Sequence, residues 1–382
     1  TIILLSCLFF FKILKDNIHL LFHIKIFKFL IFFYFYLLIC SIFGYDPIFS
    51  LKTTFPYIRH IIFVFLIYLL LVQQKIKQNI LFFVLLYLIS FLIIDLFIQF
   101  NFGKNIFGYE KVGHFRYGGM FNDELVLGSY LTKIFPIFLA LSCTKKYKNG
   151  NYFCLFFLIL LVSSTLLTGE RTSFFLSVLL FFILFSFIKI NSLHKFLILI
   201  FILLSGIIFL NINNNKIVKD RMFNSSFQSM FKNEKITVFT KNHEKLYKAS
   251  LKMFIDSPLI GHGPKSFRKI CKLEKFYVNK KEVCQTHPHN IYLQLLAETG
   301  LIGLIFLILL FIYLIKSIVK YQVLSKNQNN EKIIFFILIV GLFVNLFPFA
   351  PTGNFFNNWY SMVIYYVLPY LIFFKTKYNF NN

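Results

Sequence analysis

The sequence predicts an all-α, polytopic membrane protein, and three observations lead there. Of the 382 residues, 58% are hydrophobic, and the mean hydropathy is +0.72. Apolar runs of about 16 to 22 residues recur along the chain, near the length a helix needs to cross a bilayer core. Every second connection between these runs is rich in lysine, the charge pattern that orients membrane helices. The architecture expected is about eleven spans with one large external loop.

The spans fall at roughly 2–14, 26–44, 56–72, 80–100, 124–142, 152–168, 173–189, 195–212, 299–317, 333–349 and 358–374. Connections holding Lys15 and Lys28, Lys75 and Lys77, Lys145 to Lys148, Lys189 and Lys195, Lys316 to Lys332, and Lys375 and Lys377 then face the cytoplasm. Those at 45–55, 101–123, 169–172, 213–290 and 350–357 face outward. The first run carries Lys12, and no small-residue cleavage site follows it. It reads as a truncated span rather than a signal-peptide remnant. Starting from outside, it implies one further span upstream of Thr1, about twelve in the full-length chain.

No internal repeat is visible, so residues 1–382 read as a single integral membrane domain with the 213–290 loop inserted between helices. Within that loop, 239–255 predicts a surface helix. Gly261-His262-Gly263-Pro264 predicts a tight turn. The formal net charge of +25 does not point to nucleic acid. Much of the lysine orients spans, and the remainder lies in the long loop, where anionic headgroups or a pyrophosphate would meet it. The 56 Phe residues read as AT-rich codon usage. Of the six cysteines, Cys271 and Cys284 share the external loop, which favours a disulfide in an oxidising compartment.

Three outward-facing segments carry chemistry. The first is Arg116-Tyr117-Gly118-Gly119-Met120-Phe121, ahead of a span. The second is Thr168-Gly169-Glu170-Arg171, a short hairpin between spans. The third is His287-Pro288-His289-Asn290, at the exit of the long loop into an apolar run. The charge-derived topology puts all three on one side of the membrane without having used them. Arg116 and Arg171 stand out in a chain whose cation is overwhelmingly lysine. A planar guanidinium binds phosphate through two parallel bonds, which an ammonium cannot do. Lone interfacial arginines usually snorkel to lipid phosphates, but two in outward connections favour phosphate binding. Glu170 and Glu124 are candidate partners for them. Asp95 and Lys133 sit within apolar runs, where charge is costly; Asp95 reads as a structural hydrogen-bond partner. Lys133 and Pro136 suggest a kinked, inward-facing helix.

Histidine moves protons near neutral pH. His289 is the preferred base and His287 its rival, while Asn290 has the bland reading of a helix cap. His243 and His262 are loop histidines without evident partners. His287 and His289 lie two residues apart with no His/Glu pair at helical spacing, so a metal site is not expected.

His289-Asn290, nine residues, Gly300, two residues and Gly303, with Glu298 ahead of Gly300, resembles the signature of the O-antigen ligase and O-antigen polymerase superfamily. Gly261-His262-Gly263-Pro264 with Phe267, Arg116 with Gly119 and Phe121, and Arg171 after a span are similar to further elements of that family. The resemblance covers most of the chain from about residue 100 onward. It implies a GT-C-like membrane glycosyltransferase without cofactor or metal, in a bacterial inner membrane, with its active site and the 213–290 loop facing the periplasm. The donor implied is a glycan on undecaprenyl pyrophosphate, and the acceptor is lipid A-core or another glycan. His289 would be catalytic, and Arg116 and Arg171 would bind the donor pyrophosphate. Asn290, Glu298, His287 and Glu170 would support them. A ligase is preferred. A polymerase of lipid-linked repeat units, a protein-directed oligosaccharyltransferase and, in a different class, a transporter or flippase are the alternatives. Against transport, the polar residues gather at one face, with no paired broken-helix repeats.

Overall fold

In the computed structural model, residues 15–113, 116–144, 150–188, 190–211, 216–224, 239–276, 284–323 and 330–377 are described, and the expected span at 2–14 lies outside them. Among the described residues the protein is helical, with two isolated β-bridges, Lys104 to Glu110 and Val112 to Arg116. The main helices are α1 (Lys25–Ile42), α2 (Pro47–Thr54), α3 (Ile58–Val72), α4 (Gln78–Phe102), α5 (Leu127–Ser142) and α6 (Gly150–Leu167). They continue as α7 (Arg171–Phe187), α8 (Ser192–Asn211), α9 (Lys241–Asp256), α10 (Ile291–Val323), α11 (Asn330–Asn345) and α12 (Asn358–Lys377).

Five candidate spans are long and apolar enough to cross a membrane: Lys25–Ile42, Pro47–Val72, Gln78–Phe102, Gly150–Leu167 and Ile291–Tyr321. Leu127–Ser142, Arg171–Phe187 and Ser192–Ile208 are shorter apolar helices. Large side chains such as Phe32, Tyr87 and Phe201 stay exposed on these helices, as lipid-facing residues do. The chain is a multi-pass membrane protein.

Two expectations change in detail. The outward connection expected at 45–55 is mostly helix, because Asp46 caps α2 through Phe49 N–H at 3.0 Å and Pro47 opens its first turn. A 3-10 turn over Phe55–Tyr57, containing Pro56, then joins α2 to α3. The span expected at 299–317 belongs to a longer helical run that starts at Ile291 and breaks at Gly300, whose φ of 66° and ψ of −167° no helix accommodates.

The chain divides into two compact units. One comprises 1–77, 241–316 and 346–382. In it α1 packs on α2, and α3 packs on α12. Tyr57, His60 and Tyr365 interlock there, the His60 and Tyr365 rings stacking at 5.1 Å. Outside the span, Leu246, Ala249 and Met253 of α9 form a core with Phe267, Ile270, Cys271 and Phe276 that closes on Ala297 of α10. Cys271 and Cys284 form a disulfide there, with Cα atoms 5.3 Å apart.

The other unit comprises 78–240 and 317–345. Its centre is α5, in which every residue except Ser129 and Tyr130 is buried. Helices α4, α6, α7 and α11 surround it. Pro136 fits against Gly341 of α11, where an added Cβ would come 2.3 Å from the proline Cβ. Asp95 accepts from Asn105 Nδ2 at 3.1 Å and Ile106 N–H at 3.0 Å, a structural role. Gly341→Leu is therefore expected to cost roughly 1–3 kcal/mol by overpacking. Gly206→Leu, at a position with nothing within 4 Å, is expected to cost far less. Thermal unfolding of both variants in detergent measures the difference.

Candidate functional site

The cationic site is built on the hairpin between α6 and α7. Thr168 ends α6, and Gly169 turns the chain at φ 70°. The Glu170 carboxylate accepts from Gly128 N–H at 2.8 Å, Ser129 N–H at 3.1 Å and the Ser173 hydroxyl at 2.8 Å. A negative group thus satisfies orphan donors at the α5 N-terminus. Burial raises the Glu170 pKa, and these hydrogen bonds act against that shift. Lys133 donates to Ser129 Oγ at 2.9 Å, and its charge also acts on Glu170. Glu170, expected to support the arginines, pins the hairpin from which α7 starts to the α5 N-terminus.

Arg171 is the first residue of α7, and its Nε donates to the Arg221 carbonyl at 3.0 Å. Arg221 Nε in turn donates to the Gly169 carbonyl at 2.9 Å. Tyr117 N–H reaches the Thr168 carbonyl at 3.3 Å and ties the loop carrying Arg116 to the same hairpin. Arg116 lies close enough to act electrostatically on both Arg171 and Arg221. Burial first, then the two neighbouring guanidinium groups, pushes the Arg221 pKa down to about 10, so it remains cationic near neutral pH. The structure therefore brings Arg116 and Arg171 together and adds Arg221. Sequence reading passed over Arg221 because it lies in the lysine-rich loop. The available signal was its type, since it is one of only five arginines, with Arg59, Arg116, Arg171 and Arg268.

The glycine of the Arg116 segment is required. Gly119 has φ 54° and donates its N–H to Gln99 Oε1 at 2.8 Å, and an added Cβ would press on Leu127 and Asp95. Such a backbone conformation disfavours any side chain.

The histidine site belongs to the other unit. His287 is buried, with Nδ1 2.9 Å from the Thr286 hydroxyl and Nε2 3.2 Å from the Thr352 carbonyl. Burial, with His289 and Arg268 adding to it, pushes the His287 pKa down to about 4. His289 is half-buried at φ 58°, and its Nε2 pairs with Gln285, which is exposed. Its pKa is also lowered, by burial first and then by His243. The rings of His243 and His289 lie 5.5 Å apart, and those of His289 and His287 lie 4.2 Å apart. His243 comes from α9, so its partner emerges only through packing of the segment between α8 and α10. Among the described residues no three His, Cys, Asp or Glu side chains are grouped to hold a metal ion.

Asn290 caps α10, its Oδ1 accepting from Tyr292 N–H at 3.0 Å and Leu293 N–H at 3.1 Å. Glu298 is fully buried and accepts from Lys265 N–H at 3.1 Å, Phe267 N–H at 3.0 Å and Gln294 Nε2 at 3.0 Å. Backbone bonds from His262 to Ala297, Gly263 to Glu298 and Leu301 to Pro258 complete the joint. Gly261 and Gly300, both at φ 66°, face each other's backbone so closely that an added Cβ would lie 2.4 Å from Glu298 C or 2.2 Å from Leu259 O. The glycine turn and the glutamate-glycine motif are thus two halves of one joint. Glu298→Ala strips an acceptor from two backbone N–H groups and is expected to cost roughly 1–3 kcal/mol for each group left unmet. Glu298→Gln keeps one acceptor oxygen and is expected to cost less. Melting temperatures in detergent test the order.

Residues 156–308 match the sequence profile of a family described as O-antigen ligase. A comparison with curated proteins gives no match. The matched region runs from α6 through the hairpin at Arg171, Arg221 and the segment between α8 and α10 to His289, Glu298, Gly300 and Gly303, and it does not reach Arg116. Residues 156–308 of this multi-pass membrane protein are thus similar to the O-antigen ligase family.

Proposed function

We propose that the protein is a glycosyltransferase moving a glycan from undecaprenyl pyrophosphate to a lipid A-core acceptor at the periplasmic face of the bacterial inner membrane. The observation that carries this reading is the assembly of Arg116, Arg171 and Arg221 around one hairpin. Guanidinium forks hold pyrophosphate oxygens and stabilise the charge that develops as the glycosyl bond breaks. In this reading the arginines neutralise the pyrophosphate charge that a divalent cation would otherwise neutralise. The 213–290 segment is the periplasmic loop that presents the acceptor.

His289 is the proposed base. The acceptor hydroxyl attacks the anomeric carbon and its proton passes to the imidazole. The bond to the pyrophosphate oxygen breaks, and the electron pair leaves with the pyrophosphate. A single displacement inverts the anomeric centre. General-base assistance of this kind is worth about 10²–10⁴-fold. His289 suits the role because it is half-buried beside an exposed glutamine, while His287 has both ring nitrogens engaged.

Arg171→Gln is expected to lower transfer by about 10²-fold or more, with Arg171→Lys intermediate, since a point charge lacks the fork. Single-turnover transfer from a purified lipid-linked donor measures this. Wild-type rates in both variants would remove pyrophosphate recognition from the hairpin.

His289→Ala is expected to abolish transfer while donor binding survives, and His287→Ala is expected to be milder. The lowered His289 pKa keeps its ring neutral further into acid. The rate should stay level through neutral pH and fall only below the ordinary imidazole value of about 6.5. An acid limb centred above that value, absent in His289→Ala, would assign the titrating group elsewhere. Supplying lipid A-core in one assay and a second lipid-linked repeat unit in another separates ligase from polymerase. A flippase would move carrier across vesicles without any transfer.

A further inference from the structure

The two arginines outside the hairpin cluster stand in the unit that carries the histidines. We propose that Arg59 and Arg268, with Lys265, form a second anion site, which holds a phosphate group of the acceptor beside the histidine pair. The assignment to an acceptor rests on the transferase reading; the anion site itself does not.

Lys265 and Arg268 lie on the turn that Glu298 holds. Lys265 N–H is bonded to that carboxylate at 3.1 Å, and the residue adopts φ 63°. A non-glycine residue there costs about 1 kcal/mol or more, and such strain gathers where a side chain must leave in one direction. Between them, Ser266 is 1% exposed, and its hydroxyl has no hydrogen-bond partner among the described residues. Arg268 Nε is likewise buried without one among them. Two donors are therefore withdrawn from solvent on one short turn with nothing among the described residues to receive them, and an unmet buried donor is costly. Arg59 comes from α3 and donates to Asn358.

The charges converge. Arg268 and Arg59 both act on Lys265, and Arg268 also acts on His287 and Glu298. Glu298 is the opposing carboxylate, and it is already engaged by two backbone N–H groups and Gln294. The nearby acids Asp46 and Asp256 are paired with Lys269 and Lys275. Three cations against one committed carboxylate leave a positive site. Two guanidinium groups with an ammonium match the charge and oxygen geometry of a phosphate better than those of a single carboxylate. Arg268 acts on His287, whose ring lies 4.2 Å from that of His289, so the phosphate would sit near the proposed base, anchoring an acceptor so that its hydroxyl meets the His289 imidazole.

Trp359, the only tryptophan of the chain, follows Asn358 and reports on this site. The test titrates inorganic phosphate into the full-length protein in phosphatidylcholine nanodiscs and follows Trp359 emission, with chloride at matched ionic strength as the control. A saturable response is expected, weakened about tenfold or more in Lys265→Gln and Arg268→Gln and less in Arg268→Lys. No saturable response, or equal affinity in wild type and both variants, overturns the site. Melting temperatures accompany the titrations. Should Arg268→Gln lower its own, Arg59→Gln and Lys265→Gln carry the comparison. Transfer assays then use acceptor with and without its phosphates removed enzymatically. The variants should raise KM for the phosphorylated acceptor alone and leave KM for the donor unchanged. Loss of the phosphate response on replacing phosphatidylcholine with phosphatidylglycerol, together with no KM preference, would give the site to a lipid headgroup and overturn the acceptor assignment. Transfer that proceeds with neither effect sinks this inference and spares the transferase. A normal titration with no transfer to any acceptor does the reverse.

Discussion

The Glu298 carboxyl is shut off from solvent, so its oxygens must be met by donors within the protein, because a buried acceptor left unmet is costly. Two of its donors are backbone N–H groups of the Lys265–Phe267 turn, and the third is the Gln294 amide. Gln294 in turn donates to Asn354 Oδ1 at 2.9 Å and accepts from Phe355 N–H at 2.9 Å. One carboxylate therefore ties the segment between α9 and α10 to the head of α10 and to the loop before α12. That loop positions the histidines: the Thr352 carbonyl faces His287 Nε2, and Thr352 N–H bonds the His289 carbonyl at 2.8 Å. The two glycines are required because the backbones meet closer than any Cβ allows.

The arginine cluster follows a related logic. Arg171 and Arg221 each bond a carbonyl through Nε, and the two bonds close a circuit over Gly169. Bonding through Nε fixes the plane of each fork, so that the proposed recognition of a pyrophosphate would not have to order a long side chain at the moment of binding. Lysine could supply charge at these positions, but with three equivalent protons and no plane it could not close this circuit. Glu170 completes the arrangement from below, because its carboxylate is matched to the N-terminus of α5 rather than lying in the path of an anion.

Hydropathy and lysine spacing made the helices legible, since both follow from the solvent a spanning helix meets. The break at Gly300 was not, because an apolar run keeps its composition on either side of one left-handed residue. Helix α2 was also missed: its eight residues mix Ser, Thr and Lys with apolar side chains, so that composition says loop while the cap and the proline say helix. At the candidate sites, Arg116, Arg171 and His289 stood out by residue type in a restricted setting. Asn290 was read as a cap and is one. The work of Glu298 was hidden because its partners are mainly backbone groups, which every sequence carries alike. Arg221 and His243 were hidden because polar residues in a long loop read as solvated until the loop is packed.

The choice between the two neighbouring histidines turns on what a base needs, which is a lone pair, access and a backbone that holds it. His287 offers neither nitrogen freely. One faces the Thr286 hydroxyl and the other the Thr352 carbonyl, and a pKa near 4 leaves it a poor acceptor for a hydroxyl proton. A ring so placed serves as a wall for its neighbour. His289 sits in the left-handed region, a conformation that a non-glycine residue keeps only where its surroundings impose it. Here they do, through the Thr352 bond to its carbonyl and the cap at Asn290 that starts α10 immediately after it. The His289 ring reaches Gln285, while His287 stays buried beside it. The same sequence spacing that makes the two imidazoles look alike therefore gives them different environments, and that difference is why His289 is the one proposed as the base.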